Sequence, residues 1–326
     1  MKNILVTGGA GYIGAHTCEQ LKKRGYFPVV VDDLSRGYGD FVQFGPLVKF
    51  NLRETPRIVR TLKEYNIQSV LHFAAFALVE ESVKFPLIVY ENNVSGTLSL
   101  LKACEEAGVE NFVFSSSCAV YGNPTSLPVE ETERLLPVSP YGFSKLMCEQ
   151  MIEDFSRVSP LRFAHLRYFN VAGASSSGSI GESHIPETHL IPLLLQSLDQ
   201  FTSPFSIFGD DFPTPDGTCV RDFIHVQDLA RAHVLALEGL QTQRFKNEKI
   251  NLGSGRGFSV REVLQTVEKV TGKTISAQVT SRRPGDPAFL VASTKKAQSL
   301  LGFKPEFNLE AMIESAWNWH KKKKKG

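Results

Sequence analysis

The stretch Ile4-Leu5-Val6-Thr7-Gly8-Gly9-Ala10-Gly11-Tyr12-Ile13-Gly14 decides the fold. A short β-prone run enters glycines at 8, 11 and 14, and a helical pattern follows through Leu21 to Gly25. Gly8 allows a tight turn, Gly11 lets the backbone approach a pyrophosphate, and Gly14 lets the helix pack close to the strand with its N-terminus facing the anion. Such a triplet means little alone. Here it opens the first strand–helix unit, and Asp32 ends the next strand 18 residues beyond Gly14, where a carboxylate can accept from a ribose hydroxyl. Asp33 beside it repels a ribose phosphate, which favours NAD over NADP, with Arg36 as the opposing charge.

Working outward, apolar runs at 28–32, 47–50, 69–73, 111–115 and 162–167 alternate with helical patterns, one of which spans 85–108 and sets Val94, Leu98, Leu101 and Cys104 on one face. Continuous apolar runs of this length suit strands buried on both faces, and the alternation predicts a parallel sheet with right-handed crossovers. The fold class is α/β: a Rossmann-type doubly wound parallel sheet with a smaller C-terminal α/β substrate domain. After Asn170 the texture turns small and polar, then rich in proline. The expected division is 1–172 for the dinucleotide domain, 173–320 for the substrate domain, with a segment near 222–240 able to pack back on the first, and a lysine-rich tail at 321–326. Ser259 and Glu262 before an apolar helical pattern predict a capping box, with Gly272 ending that helix. A last helix is expected over about 308–319.

Bulk properties narrow the partners. The 326 residues are 42% hydrophobic and 21% charged, enough to bury a real core. The 36 basic and 34 acidic residues give +2, and the excess gathers at Lys321 to Lys325, so no nucleic-acid face is expected. No run reaches the length of a membrane span, and the N-terminus enters a strand without a signal-like segment. Cys18, Cys104, Cys118, Cys148 and Cys219 form no CxxC pair; packed, reduced thiols in a cytoplasmic protein are expected, with no metal site.

Ser139-Pro140-Tyr141-Gly142-Phe143-Ser144-Lys145 holds the candidate chemistry. Ser139 suits a helix N-cap and Pro140 the first turn, so Tyr141 and Lys145 share one helix face. A phenol of pKa about 10 is a poor base at neutrality; lowering it by roughly three units takes about 4 kcal/mol of phenolate stabilisation. A nearby ammonium and a positive nicotinamide ring could supply that. The serine run at 115–117 follows a strand at its carboxyl end, where open α/β sheets bind ligands, and can bridge a substrate hydroxyl to the tyrosine. Tyr121, the rival phenol, has no lysine one turn ahead and reads as structural.

The set TGGAGYIG, HFAA (72–75), NNVSGT (92–97), SSSCAVYG, SPYGFSK, RYFNVAG and VRDFIHVQDLA resembles the extended short-chain dehydrogenase/reductase family, and within it the branch of UDP-sugar 4-epimerases, over nearly the whole chain. The resemblance implies a resident NAD that takes hydride from carbon 4 of a UDP-hexose and returns it to the other face, converting UDP-galactose to UDP-glucose without net redox. It implies Tyr141 as acid and base, Lys145 as the group that depresses its pKa and holds the nicotinamide ribose, and Ser117 as the positioner of the hydroxyl. Around NAD it places Gly8, Gly11, Tyr12, Ile13, Gly14, Asp32, Asn51, Leu52, Phe73, Ala74, Ala75, Asn92, Ser115 and Tyr168. For the sugar nucleotide it points to Asn170 near the pyrophosphate, His189, Leu190, Ile207 and Phe208 around the uridine, and Arg221, Arg283 and Asp286 on phosphate and ribose. Leu290 falls where the family gates the sugar's 2-substituent. A homodimer formed by helices of the first domain is also implied.

Asn51 and Ala77 depart from the family's usual aspartate and lysine, which weakens two NAD contacts. Dehydratases share the glycines and the tyrosine but need an acid beside the serine, where Cys118 and Ala119 stand here. The competing readings are therefore a 4-epimerase of UDP-N-acetylhexosamine or UDP-pentose and, from another class, a cofactor-binding regulator with an idle site.

Overall fold

The computed structural model describes residues 2–199, 204–283 and 285–323. Strands β1 (Asn3–Thr7), β2 (Phe27–Asp32), β3 (Leu47–Lys49), β4 (Ser69–His72), β5 (Asn111–Ser117) and β6 (Arg162–Tyr168) lie where the apolar runs predict them, with helices between. The chain then passes through β7 (Asn170–Ala172), β8 (Phe205–Phe208) and β9 (Val220–His225), returns as β10 (Asn247–Leu252), and ends with β11 (Gly257–Ser259), β12 (Ala277–Thr280) and β13 (Phe289–Leu290).

Seven strands form one parallel sheet in the order β10-β6-β5-β4-β1-β2-β3. Every residue of β4 and β5 is buried, as a sheet covered on both faces requires. Two apolar clusters fill those faces, one around Ile4, Val6 and Leu237, the other around Leu5, Val29 and Leu100. Register brings the carboxyl ends of the central strands level: Thr7 pairs with His72, and Ser117 with Tyr168. That edge becomes the floor of the site.

Strand β10 lies in the stretch assigned by texture to the substrate unit, yet it pairs with β6 along its whole length. The helix Val226–Gln241 packs against the helix Tyr12–Lys23 on the same body. The second body starts at β7, which pairs with β9 in a separate sheet holding β11 and β13, while β8 and β12 make a two-stranded ribbon. Its core joins Leu194, Val263, Val267 and Ile313 from three helices.

Local signals hold in detail. The Ser139 side chain accepts from the Gly142 N–H, with Pro140 opening the helix Pro140–Val158. Ser259 and Glu262 form the capping box, and Gly272 is left-handed behind the helix Val260–Thr271. Over 85–108 the single predicted helix is instead Pro86–Tyr90, a wide π-type turn at Glu91–Ser95, and Gly96–Ala107. The wider turn rotates the face, so Leu101 and Cys104 are buried while Leu98 is 43% exposed. The final helix continues to Lys323, where Lys322 and Lys323 donate to the Ser177 carbonyl and the Ser183 hydroxyl, so this part of the expected tail is tied down. Its remaining residues, 324–326, lie outside the described residues.

Candidate active site

Gly8 sits at φ +71, and a Cβ there would meet the Ala74 nitrogen at 2.6 Å, so both the turn and the neighbouring strand end require glycine. A Cβ on Gly14 would lie 2.3 Å from the Gly8 carbonyl, which fixes the close helix–strand approach. Gly11 caps the helix Tyr12–Lys23 without any side chain bonded to the first N–H groups, and those donors face outward as an anion cradle. Asp32 ends β2; one oxygen accepts from the Ala10 N–H at 3.0 Å and the other from the Leu34 N–H at 2.9 Å. Burial raises its pKa, opposed by those two bonds. Each carboxylate oxygen keeps a lone pair for a hydroxyl donor. Beside it Asn51 donates to Asp33 at 2.8 Å, so this amide is committed to the protein.

From this turn a cavity of about 850 Å³ runs along the carboxyl edge of the sheet and under the second body. Gly8, Gly11, Tyr12, Ile13, Gly14 and Asp32 form one end, and Asn51, Leu52, Phe73, Ala74, Ala75 and Asn92 line its flank. Tyr12 is fixed by a 2.6 Å bond to the Gly173 carbonyl. The dimensions and donors suit an extended dinucleotide, with glycines where the backbone must come close and an acid where a ribose would lie.

Mid-cavity, Ser115, Ser117, Tyr141, Lys145 and Tyr168 meet. Lys145 donates to the Ser115 carbonyl at 2.7 Å, and Ser115 and Tyr168 share a hydroxyl bond. Burial pushes the Tyr141 phenol up to about 12, while a hydrogen bond with Ser117 pulls it down. This runs against the expected depression by the ammonium: Lys145 lies 5.8 Å from the Tyr141 ring centroid and 5.0 Å from that of Phe114, its charge held by a backbone carbonyl. Burial in turn lowers Lys145 to about 8. The side chains thus gather at one point of the cavity, with burial favouring the neutral phenol.

At the far end, Asn170, His189, Arg221, Asp286 and Leu290 also line the cavity. Arg221 donates to the Pro287 carbonyl at 2.8 Å and approaches Asp286 at 3.4 Å. Leu190, Ile207, Phe208 and Arg283 are not on its wall. Ile207 is buried, and the Arg283 guanidinium lies 4.0 Å over the Phe208 ring, because β8 and its neighbouring loop pack on themselves. Asp286 thus pairs with Arg221, while the Arg283 guanidinium approaches Glu80 at 3.9 Å.

His189 is more than a wall residue. Its Nδ1 is 2.9 Å from Glu182 and 3.1 Å from Glu187, and His184 Nδ1 is 3.4 Å from Glu182 and 3.6 Å from Glu187. Burial opposes the charged imidazoles, but the two carboxylates outweigh it and lift His184 to about 9 and His189 to about 10. Sequence reasoning found only His189; the spacing Glu182, His184, Glu187, His189 was the signal for the rest. Asn93 was also missed: it bridges the Phe76 backbone and the Ser144 hydroxyl, tying the cavity flank to the tyrosine helix.

Residues 4–253 match the family model described as the NAD dependent epimerase/dehydratase family. The UDP-glucose 4-epimerase of Rhizobium meliloti (strain 1021) is 48% identical over 324 residues, covering 99% of this chain and 98% of that protein. The structure of UDP-glucose-4-epimerase from Stenotrophomonas maltophila with bound NAD and formylated UDP-arabinopyranose superimposes with a TM-score of 0.97 at 41% identity, over 100% of this chain and 99% of that one. UDP-glucose 4-epimerase from Brucella ovis in complex with NAD gives a TM-score of 0.94 at 46% identity, over 97% of this chain and 98% of that one.

Proposed function

The chain belongs to the NAD dependent epimerase/dehydratase family, and from that membership we propose that it inverts carbon 4 of a UDP-hexose, interconverting UDP-galactose and UDP-glucose, with Tyr141 as the proton-transfer group. One observation carries the site assignment: Tyr141, Ser117 and Lys145 line the same cavity that continues into the Gly8–Gly14 turn.

The first-turn N–H groups behind Gly11 would hold the NAD pyrophosphate and Asp32 a ribose hydroxyl, with Leu52, Phe73, Ala74, Ala75 and Asn92 along the flank. When bound, NAD supplies a hydride acceptor that becomes the donor for the opposite face, together with the ring charge that favours a phenolate. Tyr141 Oη takes the proton of the 4-hydroxyl and later gives it back. Ser117 holds that hydroxyl against the phenol, and Lys145 presents its ammonium to the ribose side. Arg221 grips the diphosphate and Asn170 lies near it, while Asp286 orients Arg221. Purified protein incubated with UDP-galactose should form UDP-glucose without added oxidant and release NAD on denaturation. No conversion, or recovery of NADP, would refute this.

A second reading rests on Leu290, which lies on the cavity wall, at the position where the family resemblance puts the gate for the sugar's 2-substituent. A leucine is smaller than the tyrosine of strict glucose enzymes, which supports a UDP-pentose or UDP-N-acetylhexosamine as the alternative substrate. Separate incubations with UDP-xylose and UDP-N-acetylglucosamine, with product resolution, decide it.

The working molecule is a homodimer in this proposal. Val83, Phe85, Leu87 and Ile88 are 63%, 55%, 80% and 52% exposed on adjoining short helices, and Phe143 and Met147 continue the patch. A patch of this kind on one face fits a two-fold partner. Leu87→Glu should shift sedimentation toward the monomer. All five cysteines are free and buried, in keeping with a reducing, cytoplasmic setting, and no helix among the described residues is long and apolar enough to cross a membrane.

A further inference from the structure

We propose that Glu182, His184, Glu187 and His189 form a four-coordinate site for a divalent transition-metal ion, zinc above all. It would pin the loop at the rim of the sugar-nucleotide end of the cavity. The four ligand atoms lie within 4.8 Å of one another. A tetrahedral ion with bonds of about 2.0–2.1 Å sets neighbouring ligands about 3.3–3.4 Å apart. Both Nδ1 atoms approach the same Glu182 oxygen, His189 at 2.9 Å and His184 at 3.4 Å, while Glu187 offers Oε1 to His189 at 3.1 Å and Oε2 to His184 at 3.6 Å, so a small rotation of Glu187 would present one oxygen to a shared ion.

The surroundings of His184 add to those distances. The Nδ1 of His184 is sealed from solvent and makes no hydrogen bond, an unusual state for an imidazole nitrogen facing two carboxylates. The Glu182 and Glu187 side chains are only 7% and 5% exposed, so two acids are taken out of water together. Without an ion the two imidazolium charges balance the two carboxylates; binding would displace those two protons, leaving a −2 ligand set that one divalent ion balances. Mixed imidazole and carboxylate donors in a four-coordinate shell select zinc-like ions; magnesium and calcium seek six or more oxygens.

Access exists as well. Glu182 and His184 line both the main cavity and a smaller one of about 280 Å³, in which Glu187 and Trp319 also take part. The ion would brace the segment that precedes the helix Leu190–Ser197. Its role is to position that loop rather than to touch the reacting carbon.

The test uses the untagged full-length protein with its cofactor in place. After treatment with a chelator it is titrated with cobalt, followed by the visible d–d absorption of a four-coordinate ion, and zinc or magnesium is then added in competition. One equivalent of cobalt per chain, displaced by zinc and not by magnesium, is expected. Zinc should raise the thermal midpoint by mass action. His184→Asn and Glu187→Gln should each weaken cobalt binding by more than the roughly 10–100-fold that loss of an outer-sphere partner costs. His184 is the more exposed of these two side chains, so its variant decides the matter should Glu187→Gln misfold. Absence of stoichiometric cobalt in the folded wild-type protein, or unchanged binding in His184→Asn, would overturn the proposal.

Discussion

Tyr141 and Tyr121 are both buried phenols pushed up to about 12 by burial, yet they live in opposite surroundings. Tyr121 donates to Asn251 at 2.7 Å and accepts from Arg167 at 3.1 Å, with the guanidinium 5.1 Å over its ring. Arg167 is in turn clamped to Glu149 at 2.9 and 2.6 Å, and Ser116 closes the network. Tyr141 has Ser117 as its hydroxyl partner and an open cavity beyond it. The phenol nearest a fixed cation is therefore the one whose hydroxyl is already committed to protein partners. A shifted pKa marks burial; chemistry needs a hydroxyl with an unspent partner and room for a substrate.

The largest effect is expected in the Tyr121 region. Glu149→Gln leaves Arg167 buried without its counter-charge, which should cost about 3–5 kcal/mol of unfolding free energy, measurable by urea denaturation. Although burial opposes it, Arg167 holds Glu149 below its ordinary value of 4.5. A carboxylate depressed in the folded state stabilises above its unfolded pKa and loses that contribution as pH falls through the folded one. Wild-type stability should thus decline on acidification below about 4.5 more steeply than that of the variant. Equal acid sensitivity would show the pair contributes nothing.

Tyr141→Phe acts at the other phenol. Turnover should drop by a factor on the order of a hundred or more, about 2.7 kcal/mol of barrier, while UDP-sugar binding and the unfolding midpoint stay close to wild type. Tyr121→Phe should do the reverse, costing about 1–3 kcal/mol of stability through the unsatisfied Asn251 and Arg167 groups, with turnover per folded molecule nearly intact. Similar profiles for the two variants would erase the distinction between the regions.

Much of the Tyr141 region was legible in sequence because its signals are local: a cap at Ser139, a proline at 140, and a phenol and an amine four residues apart. The glycine turn was legible for the same reason, each glycine answering a nearby steric demand. The Tyr121 network was not, since Tyr121, Glu149, Arg167 and Asn251 come from four separate elements and meet only through the fold. Strand β10 escaped likewise: a short half-polar run acquires its place only by pairing with β6. Phe208 and Arg283 stand off the cavity wall and show the converse limit, because a motif position does not say which way a loop turns.

Ser117→Ala produces the smallest of these effects and tests the contrast most finely. Its hydroxyl accepts from the Ala119 N–H at 3.2 Å and draws the Tyr141 pKa down, so its loss should raise that pKa. A base works only when deprotonated, so raising its pKa moves the ascending limb of the turnover–pH profile to higher pH. Turnover near neutrality should fall about tenfold, or 1.4 kcal/mol, and recover partly in alkali. A uniform loss at every pH, with KM raised instead, would mean that Ser117 only binds the sugar. The phenol would then owe its reactivity to something other than this hydroxyl, and its difference from Tyr121 would lie in the cavity alone.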